Sequence, residues 1–330
     1  MHSRRPFPKH ETARPRVGWW CYRERLRLAM NERLYCCVDG GASNTRVALY
    51  DDSGHRLGLT VTGPTSLTVR GTEAWGEILG ALENLARAVA LDDEYLSRIH
   101  FGIGLAGAHN NAQRQKFLDA APGAAALRVS TDAYIATLGA HGGAPGAVII
   151  VGTGSVGYRI EAAGRCRIVG GWGFPIGDEG SGAWIGRQAV TQVAQIVDTR
   201  FRKRVTEMHR AVMERTGQSR DALLDWLLSA PPAQFAELAP LVVEHAGWGD
   251  TAALEIVSEA GREIDTLAEA LDSGRKIPLA LVGGLAEPLD AFLPDRLRTW
   301  ARAPQEGAVS GALLLAQGRA PDETIMWQNR

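Results

Sequence analysis

The sequence predicts an α/β fold in two lobes, because the same strand-and-turn pattern opens each half of the chain. Residues 35–38 form an apolar run that enters a glycine-rich turn, and a second run over 46–50 leaves it. Residues 148–151 and 156–160 flank another turn of glycines and hydroxyl residues in the same way. A length of 330 residues also suits two domains of roughly 150 residues each.

The first half continues as alternating strands and helices. A third strand is predicted over 56–62, and Thr72 is expected to cap a helix whose apolar residues, from Trp75 to Val89, recur at the helical spacing. Further elements follow in order: a strand over 100–105, a helix over 112–121, a strand over 127–130 and a helix from 133 to 140. These elements define a predicted N-terminal lobe of residues 34–140.

The second half repeats the three-strand opening, with its third strand predicted over 165–170. Residues 181–270 are predicted to be mostly helical, and the strand over 279–282 ends in Gly283-Gly284. We expect a C-terminal lobe of residues 141–305 with a helical insert. The last helix, predicted over 309–317 within a segment of about 306–320, is expected to pack back on the first lobe.

Composition excludes several classes of protein. The net charge of −1 gives no reason to expect a nucleic-acid or membrane partner. No apolar run approaches the roughly 18 residues of a membrane span. Cys21, Cys36, Cys37 and Cys166 form no Cys-x-x-Cys pair, and Cys36 and Cys37 should point to opposite faces of one strand. We therefore expect neither a zinc site nor a disulfide framework. We expect a reducing, cytoplasmic location instead.

Basic residues outnumber acidic ones in residues 1–33. We interpret this segment as a disordered extension or as the product of a start codon placed too early, with Met30 as a natural beginning. A basic tail for an acidic partner is the alternative. Deletion of residues 1–29 is expected to leave activity intact.

The two glycine turns are typical of phosphate-binding sites. Free backbone N–H groups beside Ser and Thr hydroxyls form an anion-binding concavity, and two such hairpins could hold one polyphosphate from both sides. Asp39 precedes the first turn, where a Mg²⁺ ion carrying phosphate oxygens would compensate its burial. The alternative is an aspartate that only caps the turn.

Nucleotide-binding motifs of other folds fail on their context. Gly152–Gly157 and Gly102–Gly107 both match G-x-G-x-x-G, but a dinucleotide fingerprint needs a helix directly after the glycines. A strand follows Gly157 instead. No G-x-x-x-x-G-K-[ST] motif exists in the chain, so a P-loop is excluded as well.

Other segments could carry chemistry. Asp132 lies between a strand and a helix, where α/β folds bind ligands, so it is either a candidate general base or an ordinary N-cap. The loop over 170–182 has one Trp, one Asp and one Glu among many glycines. This composition favours a loop that encloses a small polar ligand over a loop with a purely structural role. Gly283-Gly284 could lie under a purine or form a plain turn.

Five segments together resemble the N-acetylglucosamine and glucosamine kinases of the actin/hexokinase/Hsp70 superfamily, which share their phosphate hairpins with activator ATPases of 2-hydroxyacyl-CoA dehydratases. The segments are Asp39-Gly40-Gly41-Ala42-Ser43-Asn44-Thr45, Leu105-Ala106-Gly107-Ala108, Ser130-Thr131-Asp132-Ala133-Tyr134, Gly152-Thr153-Gly154-Ser155 and 170–182. The resemblance covers roughly residues 34–317. It implies an actin-like ATPase fold of two ribonuclease-H-like lobes around a central cleft, and an ATP-dependent, Mg²⁺-dependent amino-sugar kinase.

The resemblance also implies a role for each matched residue. Asp132 would take the proton of the sugar 6-hydroxyl, and Asp39 would hold Mg²⁺ through water. The sugar would contact Ser66, Gly107, Asp132, Thr153, Gly171, Trp172 and Asp178. The ATP phosphates would contact Gly40, Gly41, Ser43, Asn44, Thr45, Gly152, Thr153, Gly154 and Ser155. Adenosine would neighbour Gly283 and Gly284.

The chain departs from the family pattern at one position, and alternative functions stay open. The family often has an asparagine where this chain has Pro64-Thr65-Ser66-Leu67, which leaves N-acetylglucosamine, glucosamine and related sugars as candidates. An activator ATPase would need cysteine ligands for an iron–sulfur cluster, and the repressor-like glucokinases a cysteine-rich zinc motif absent here. A nucleotide or sugar sensor and a homodimer are further possibilities.

Overall fold

The computed structural model describes residues 32–321 and 324–325. The predicted α/β fold is confirmed, with two separate mixed sheets. The expectations for residues 1–31 lie outside the described residues. Within the described part of the chain, no helix is both long enough and apolar enough to span a membrane.

The first sheet has the strand order β3-β2-β1-β4-β5. Its strands are β1 (Leu34–Gly40), β2 (Thr45–Tyr50), β3 (Arg56–Thr62), β4 (Ile99–Leu105) and β5 (Ala126–Thr131). The first three form the predicted antiparallel meander, and β4 and β5 run parallel to β1. The carboxyl ends of β1, β4 and β5 therefore meet at one edge of the sheet, where α/β folds bind ligands.

The second sheet repeats this arrangement, with the strand order β10-β9-β6-β7-β8-β11. Its strands are β6 (Gly146–Val151), β7 (Ser155–Ile160), β8 (Arg165–Gly170), β9 (Leu279–Val282), β10 (Ala301–Arg302) and β11 (Thr324–Ile325). Again three strands form an antiparallel meander, and β9 pairs in parallel with β6. The recurrence of the three-strand opening is thus confirmed.

Helices cover the sheets and fill the predicted helical region. They are α1 (Leu67–Arg70), α2 (Ala74–Ala88), α3 (Asn111–Asp119), α4 (Asp132–Ala140), α5 (Gly182–Val197), α6 (Glu207–Thr216), α7 (Arg220–Ser229), α8 (Pro232–Ala236), α9 (Ala239–Gly247), α10 (Thr251–Leu271), α11 (Ala286–Leu289), α12 (Asp295–Trp300) and α13 (Ala308–Ala316). Thr72 does not cap α2 as expected. It lies in a 3₁₀ turn over Gly71–Glu73, and Glu73 is the N-cap, because α1 ends at Gly71 with a positive φ and the 3₁₀ turn comes between the two helices.

Two helices join the sheets through a shared core. Helices α4 and α13 pack on each other, α13 also contacts β1 and β4, and α4 contacts β6 and β7. The buried cluster around them includes Cys37 and Tyr158 from the two sheets. Cys36 belongs to a different cluster on the other side of the first sheet, so the prediction that the adjacent cysteines face opposite ways is confirmed.

Candidate active site

A cleft of about 1260 Å³ brings together residues from both sheets and from the start of α13. It is lined by Asp39 and Asp132 from the first sheet and its helix, and by Gly283 and Gly284 after β9. These four residues were expected to serve one nucleotide-dependent reaction. They are distant in sequence, and the fold places them around one space.

Asp39 stands at the end of β1, directly opposite Arg46 on β2 in the antiparallel register. Arg46 Nη1 donates to Asp39 Oδ2 at 3.1 Å, and the Asp39 side chain is 18% exposed while that of Arg46 is 54% exposed. Burial raises the pKa of the Asp39 carboxyl above its ordinary value, and the charge and hydrogen bond of Arg46 partly oppose that shift. Asp39 is therefore a largely buried acid that is paired with a half-exposed arginine.

Asp132 is the first residue of α4 rather than its N-cap. The N-cap is Thr131, whose side-chain oxygen accepts from the Tyr134 N–H at 3.1 Å. Asp132 Oδ1 accepts from the Ala133 N–H at 2.9 Å, and the positive end of the helix dipole favours a negative charge there. The N-cap alternative for Asp132 is wrong, because the hydroxyl of Thr131 already fills that role.

The first glycine turn is tied to two neighbouring loops. The Gly41 N–H closes the turn on the Asn44 carbonyl at 3.0 Å, and the Gly41 carbonyl accepts from the N–H groups of Thr65 and Ser66. The Gly40 carbonyl accepts from the Ala106 N–H at 2.8 Å. The turn is thereby held next to both loops that carry predicted sugar residues.

The side chains of this turn differ in their accessibility. Ser43 and Asn44 are exposed. Thr45 is fully buried and its hydroxyl pairs with that of Thr65 at 2.8 Å, so it is not accessible to a phosphate in this structure. Ser66 is also buried. The hydroxyl of Thr45 therefore serves the packing of the turn, which its sequence position did not reveal.

The second glycine turn supports the loop over 170–182. The Ser155 N–H donates to Asp178 Oδ1 at 3.2 Å, and its hydroxyl donates to the Glu179 carbonyl at 2.7 Å. The Thr153 carbonyl accepts from the Ala183 N–H at 3.0 Å. The N–H and the hydroxyl of Ser155 therefore both bond to this loop. Thr153 and Gly154 are the other residues of the turn that lie next to the loop.

Asp178 holds a strained position at the base of this loop. Its φ is +62°, a conformation that costs energy for a residue with a side chain. Burial raises the pKa of its carboxyl above the ordinary value and the nearby charge of Glu179 adds to this, while hydrogen bonds from the backbone of Ser155 and Phe174 lower it.

The loop residues do not line the cleft of Asp39 and Asp132 in this structure. Gly171, Trp172 and Asp178 are absent from its walls, as are Ser66 and Gly107. Trp172 is 79% exposed. Asp39, Asp132, Gly283 and Gly284 thus line one cleft, whereas the residues of both glycine turns, and the predicted sugar residues other than Asp132, do not.

Sequence reasoning missed several charged residues of the cleft. They are Arg46, Glu287, Asp290, Arg298, Arg302 and Glu306. Arg46 could have been found, because an antiparallel hairpin that turns between Gly40 and Thr45 must place residue 46 opposite residue 39. Arg302 lies in the short strand β10 and the others lie on connections of the second sheet, and no local pattern points to them.

Gly283 shows how closely the backbone packs at the nucleotide end of the cleft. Its φ is +104°, and a Cβ there would lie 2.3 Å from the Val151 carbonyl oxygen. The Leu285 N–H donates to that same oxygen at 3.1 Å. Only glycine therefore fits at position 283 of this strand end.

Comparison with known proteins places this site in a family context. The profile of the BadF/BadG/BcrA/BcrD ATPase family matches residues 37–316. The glucosamine kinase GspK of Vibrio cholerae is 30% identical over 282 residues, which are 86% of this chain and 95% of that protein. The N-acetyl-D-glucosamine kinase of Dictyostelium discoideum is 26% identical over 78% of this chain and 87% of its own length.

A solved structure extends this similarity to the fold. A protein of Chromobacterium violaceum, assigned provisionally as an N-acetylglucosamine kinase, is 38% identical and superposes with a TM-score of 0.82. The match covers 86% of this chain and 99% of that one. The two-lobe, actin-like architecture implied by the sequence resemblance is confirmed.

Proposed function

This chain belongs to the BadF/BadG/BcrA/BcrD ATPase family, and from that membership we propose that it transfers the γ-phosphoryl group of ATP to the 6-hydroxyl of an amino sugar. The curated relatives that span most of the chain are sugar kinases, and the chain is an ATP-dependent sugar kinase. The substrates we propose are glucosamine and N-acetylglucosamine. The observation that carries the proposal is the cleft shared by Asp39, Asp132 and Gly283-Gly284.

Asp132 is the proposed general base. Its position at the start of α4, after β5, puts a carboxylate on the wall of the cleft, where it can accept the proton that the sugar hydroxyl loses as its oxygen attacks phosphorus. General bases of this kind contribute roughly 10²–10⁴-fold to the rate. The remaining rate enhancement comes from alignment and charge stabilisation, which dominate phosphoryl transfer.

The cleft fits a magnesium ion that arrives with the nucleotide. Residues 32–321 contain no cluster of three or more His, Cys, Asp or Glu side chains able to hold a metal alone. Mg²⁺ in kinases needs only one or two carboxylates besides the phosphates, and Asp39 offers one in a largely buried position. When bound, Mg²⁺ would neutralise phosphate charge. The turns at Gly40–Thr45 and Gly152–Ser155 would orient the phosphates through backbone N–H groups other than those of Gly41, Gly152 and Ser155, which already bond within the protein.

The sugar is proposed to bind beside Asp132 and under the loop over 170–182. That loop is linked to the second phosphate turn through Asp178 and Ser155. Because Trp172 is exposed in this structure, we propose that the loop moves over the sugar when the cleft closes, which would exclude water and protect ATP from hydrolysis.

The cysteines disfavour the activator-ATPase alternative. Cys36, Cys37 and Cys166 are buried in the core, so these three could not ligate an iron–sulfur cluster at a subunit interface. Cysteines outside disulfides, as these are, are usual in a reducing compartment, and we place the reaction in the cytoplasm.

The test is a coupled assay of ADP release with ATP and Mg²⁺ over a panel of sugars. Glucosamine, N-acetylglucosamine, N-acetylmuramic acid and glucose would be compared, and ³¹P–¹H NMR of the product would identify the phosphorylated oxygen. We expect turnover with at least one amino sugar well above that with glucose, and phosphate on the 6-oxygen. ADP release that no sugar stimulates would refute the proposal and favour an ATPase or a sensor.

A further inference from the structure

The loop over 170–182 is tied near both of its ends to the second glycine turn. The Gly171 N–H donates to the Ser155 carbonyl at 3.2 Å, and the Ser155 N–H donates to Asp178 Oδ1 at 3.2 Å. One residue of the turn therefore fixes both ends of the loop. These bonds do not reach the tip of the loop, residues 173–177, which needs a contact of its own.

Arg187 supplies that contact from α5. Its Nη1 donates to the Pro175 carbonyl at 2.7 Å, and its Cζ lies 5.8 Å from the centroid of the Phe174 ring. That distance is within the roughly 6 Å over which an aromatic face attracts a guanidinium. A hydrogen bond from a charged donor is also stronger than one between neutral groups. Arg187 thus holds two successive residues of the tip.

Phe174 also joins the tip to the core. Its ring centroid lies 5.1 Å from that of Phe235 on α8, and the Phe235 centroid lies 5.0 Å from that of Trp226 on α7. Phe235 is buried in the cluster formed by the second sheet and its helices. One side chain of the tip therefore interacts with both the core and Arg187, so these two contacts should act together.

Trp172 lies outside the part of the loop that Arg187 holds. The Gly177 N–H donates to the Gly173 carbonyl at 2.8 Å, which closes the tip into a turn. Trp172 precedes this turn and is 79% exposed. It stands between Gly171 and Gly173, whose φ angles are +70° and +80°, and glycine has wide conformational freedom. The freedom of the loop is thus concentrated at Trp172.

We propose that Arg187 positions the tip of the loop for sugar binding. It holds the tip against α5, so the tip moves with this helix when the cleft closes, and only Trp172 and its flanking glycines rearrange. A tip that is ordered in advance spares the bound sugar the entropic cost of ordering it. Arg187 touches no reacting atom and is a positioning residue. This proposal rests on the proposed function, because it takes the loop over 170–182 as part of the sugar site.

The first experiment measures steady-state kinetics with the amino sugar that the wild type turns over best. Arg187→Gln should raise the KM for the sugar by about tenfold or more, the effect of one charged hydrogen bond. The KM for ATP and kcat should stay within about threefold of the wild type, since one hydrogen bond outside their sites is lost. Arg187→Lys keeps a charged donor and should restore part of the sugar affinity.

The matched control is Arg210→Gln. Arg210 pairs with Glu207 on α6 and does not line the cleft, so its loss should change none of these constants. An unchanged sugar KM in Arg187→Gln would overturn the proposal. So would equal losses in kcat and in both KM values, because they would indicate a general structural role.

The second experiment tests whether Arg187 acts through Phe174. Phe174→Leu removes the ring that interacts with both Arg187 and Phe235, and it should also raise the sugar KM. Because both substitutions release the same tip, the double variant Arg187→Gln/Phe174→Leu should exceed the larger single effect by no more than about twofold. A double variant whose effect equals the product of the two single effects would refute the shared anchor.

The outcomes also distinguish this proposal from the proposed function. If the wild type phosphorylates an amino sugar and Arg187→Gln keeps the wild-type sugar KM, the role of Arg187 is refuted and the kinase function stands. If the wild type phosphorylates no sugar, both proposals fail. Should Arg187→Gln not fold, Arg187→Lys carries the test, and an unchanged sugar KM in that variant would refute the proposal.

Discussion

At the scale of single residues, the site places two acids where burial disfavours their charge. Burial raises the pKa of both Asp39 and Asp178, and Asp178 also has a positive φ. Residues held in unfavourable states cluster at functional sites. We therefore expect the native residues at these two positions to lower the stability of the fold while they support ligand binding. Asp132 is expected to affect turnover alone.

Asp132→Asn should lower kcat by about 10²–10⁴-fold with little change in thermal stability. Asparagine keeps the side-chain acceptor for the Ala133 N–H but cannot take a proton from the sugar. Steady-state kinetics with the best amino sugar measure the effect. Asp119→Asn, at the exposed end of α3, is the matched control and should be neutral. Near-normal turnover in folded Asp132→Asn would end the assignment of the base.

Asp178→Asn should raise the Tm at pH 7 and weaken sugar binding by about tenfold or more. Asparagine tolerates the positive φ better and can still accept from the Ser155 N–H. The pKa of Asp178 is raised on folding, so the folded protein binds the proton more tightly, and wild-type stability improves relative to the variant as the pH falls through that raised pKa. The Tm difference should accordingly shrink between pH 7 and pH 4, and a difference that grows would contradict this.

At the scale of elements, most strands and helices follow from local sequence. The strands over Arg56–Thr62, Arg165–Gly170 and Leu279–Val282 have the predicted bounds, because alternation and turn residues are short-range signals. Helix ends are less determined, as Thr72 and Glu73 show. The packing of α4 against α13 could not be predicted, since it depends on two segments far apart in the chain.

Gly311→Ala should destabilise the protein by about 1–3 kcal/mol or more and lower kcat. A Cβ at Gly311 would lie 1.8 Å from the Ile135 carbonyl oxygen, so α13 would have to move away from α4, which carries Asp132. Urea unfolding measures the stability change. Gly80→Ala is the control, because an added Cβ on that exposed turn of α2 meets nothing within 4 Å, and it should stabilise by about 0.5–1 kcal/mol. Equal effects of the two substitutions would refute the close contact.

At the scale of the whole molecule, the two sheets are joined through α4 and α13, and the cleft lies along this junction. Asp39, Asp132, Gly283 and Gly284 already line this cleft. The loop that carries Trp172 lies outside it, and we propose that sugar and nucleotide binding together drive the loop to close over the cleft.

Trp172→Phe should abolish most of the change in tryptophan emission caused by sugar and a non-hydrolysable ATP analogue. In the wild type we expect a saturable blue shift, because the 79% exposed indole of Trp172 would become covered. Trp248 is 70% exposed and follows α9 outside the cleft, so Trp248→Phe should retain the shift. A shift that survives in Trp172→Phe at full size would mean that the loop does not close over the sugar.

The sequence by itself determined the two-lobe α/β class, the paired glycine turns, and Asp39 and Asp132 as the acids of interest. These features follow from hydrophobic spacing and turn chemistry, which act over a few residues.

Only the tertiary structure decided that Asp39 pairs with Arg46, that Thr131 rather than Asp132 caps α4, that the hydroxyl of Thr45 is used inside the fold, and that Trp172 lies outside the cleft. Burial and pairing of this kind depend on which distant segments the core brings together. The spacing of residues along the chain does not encode those distances directly.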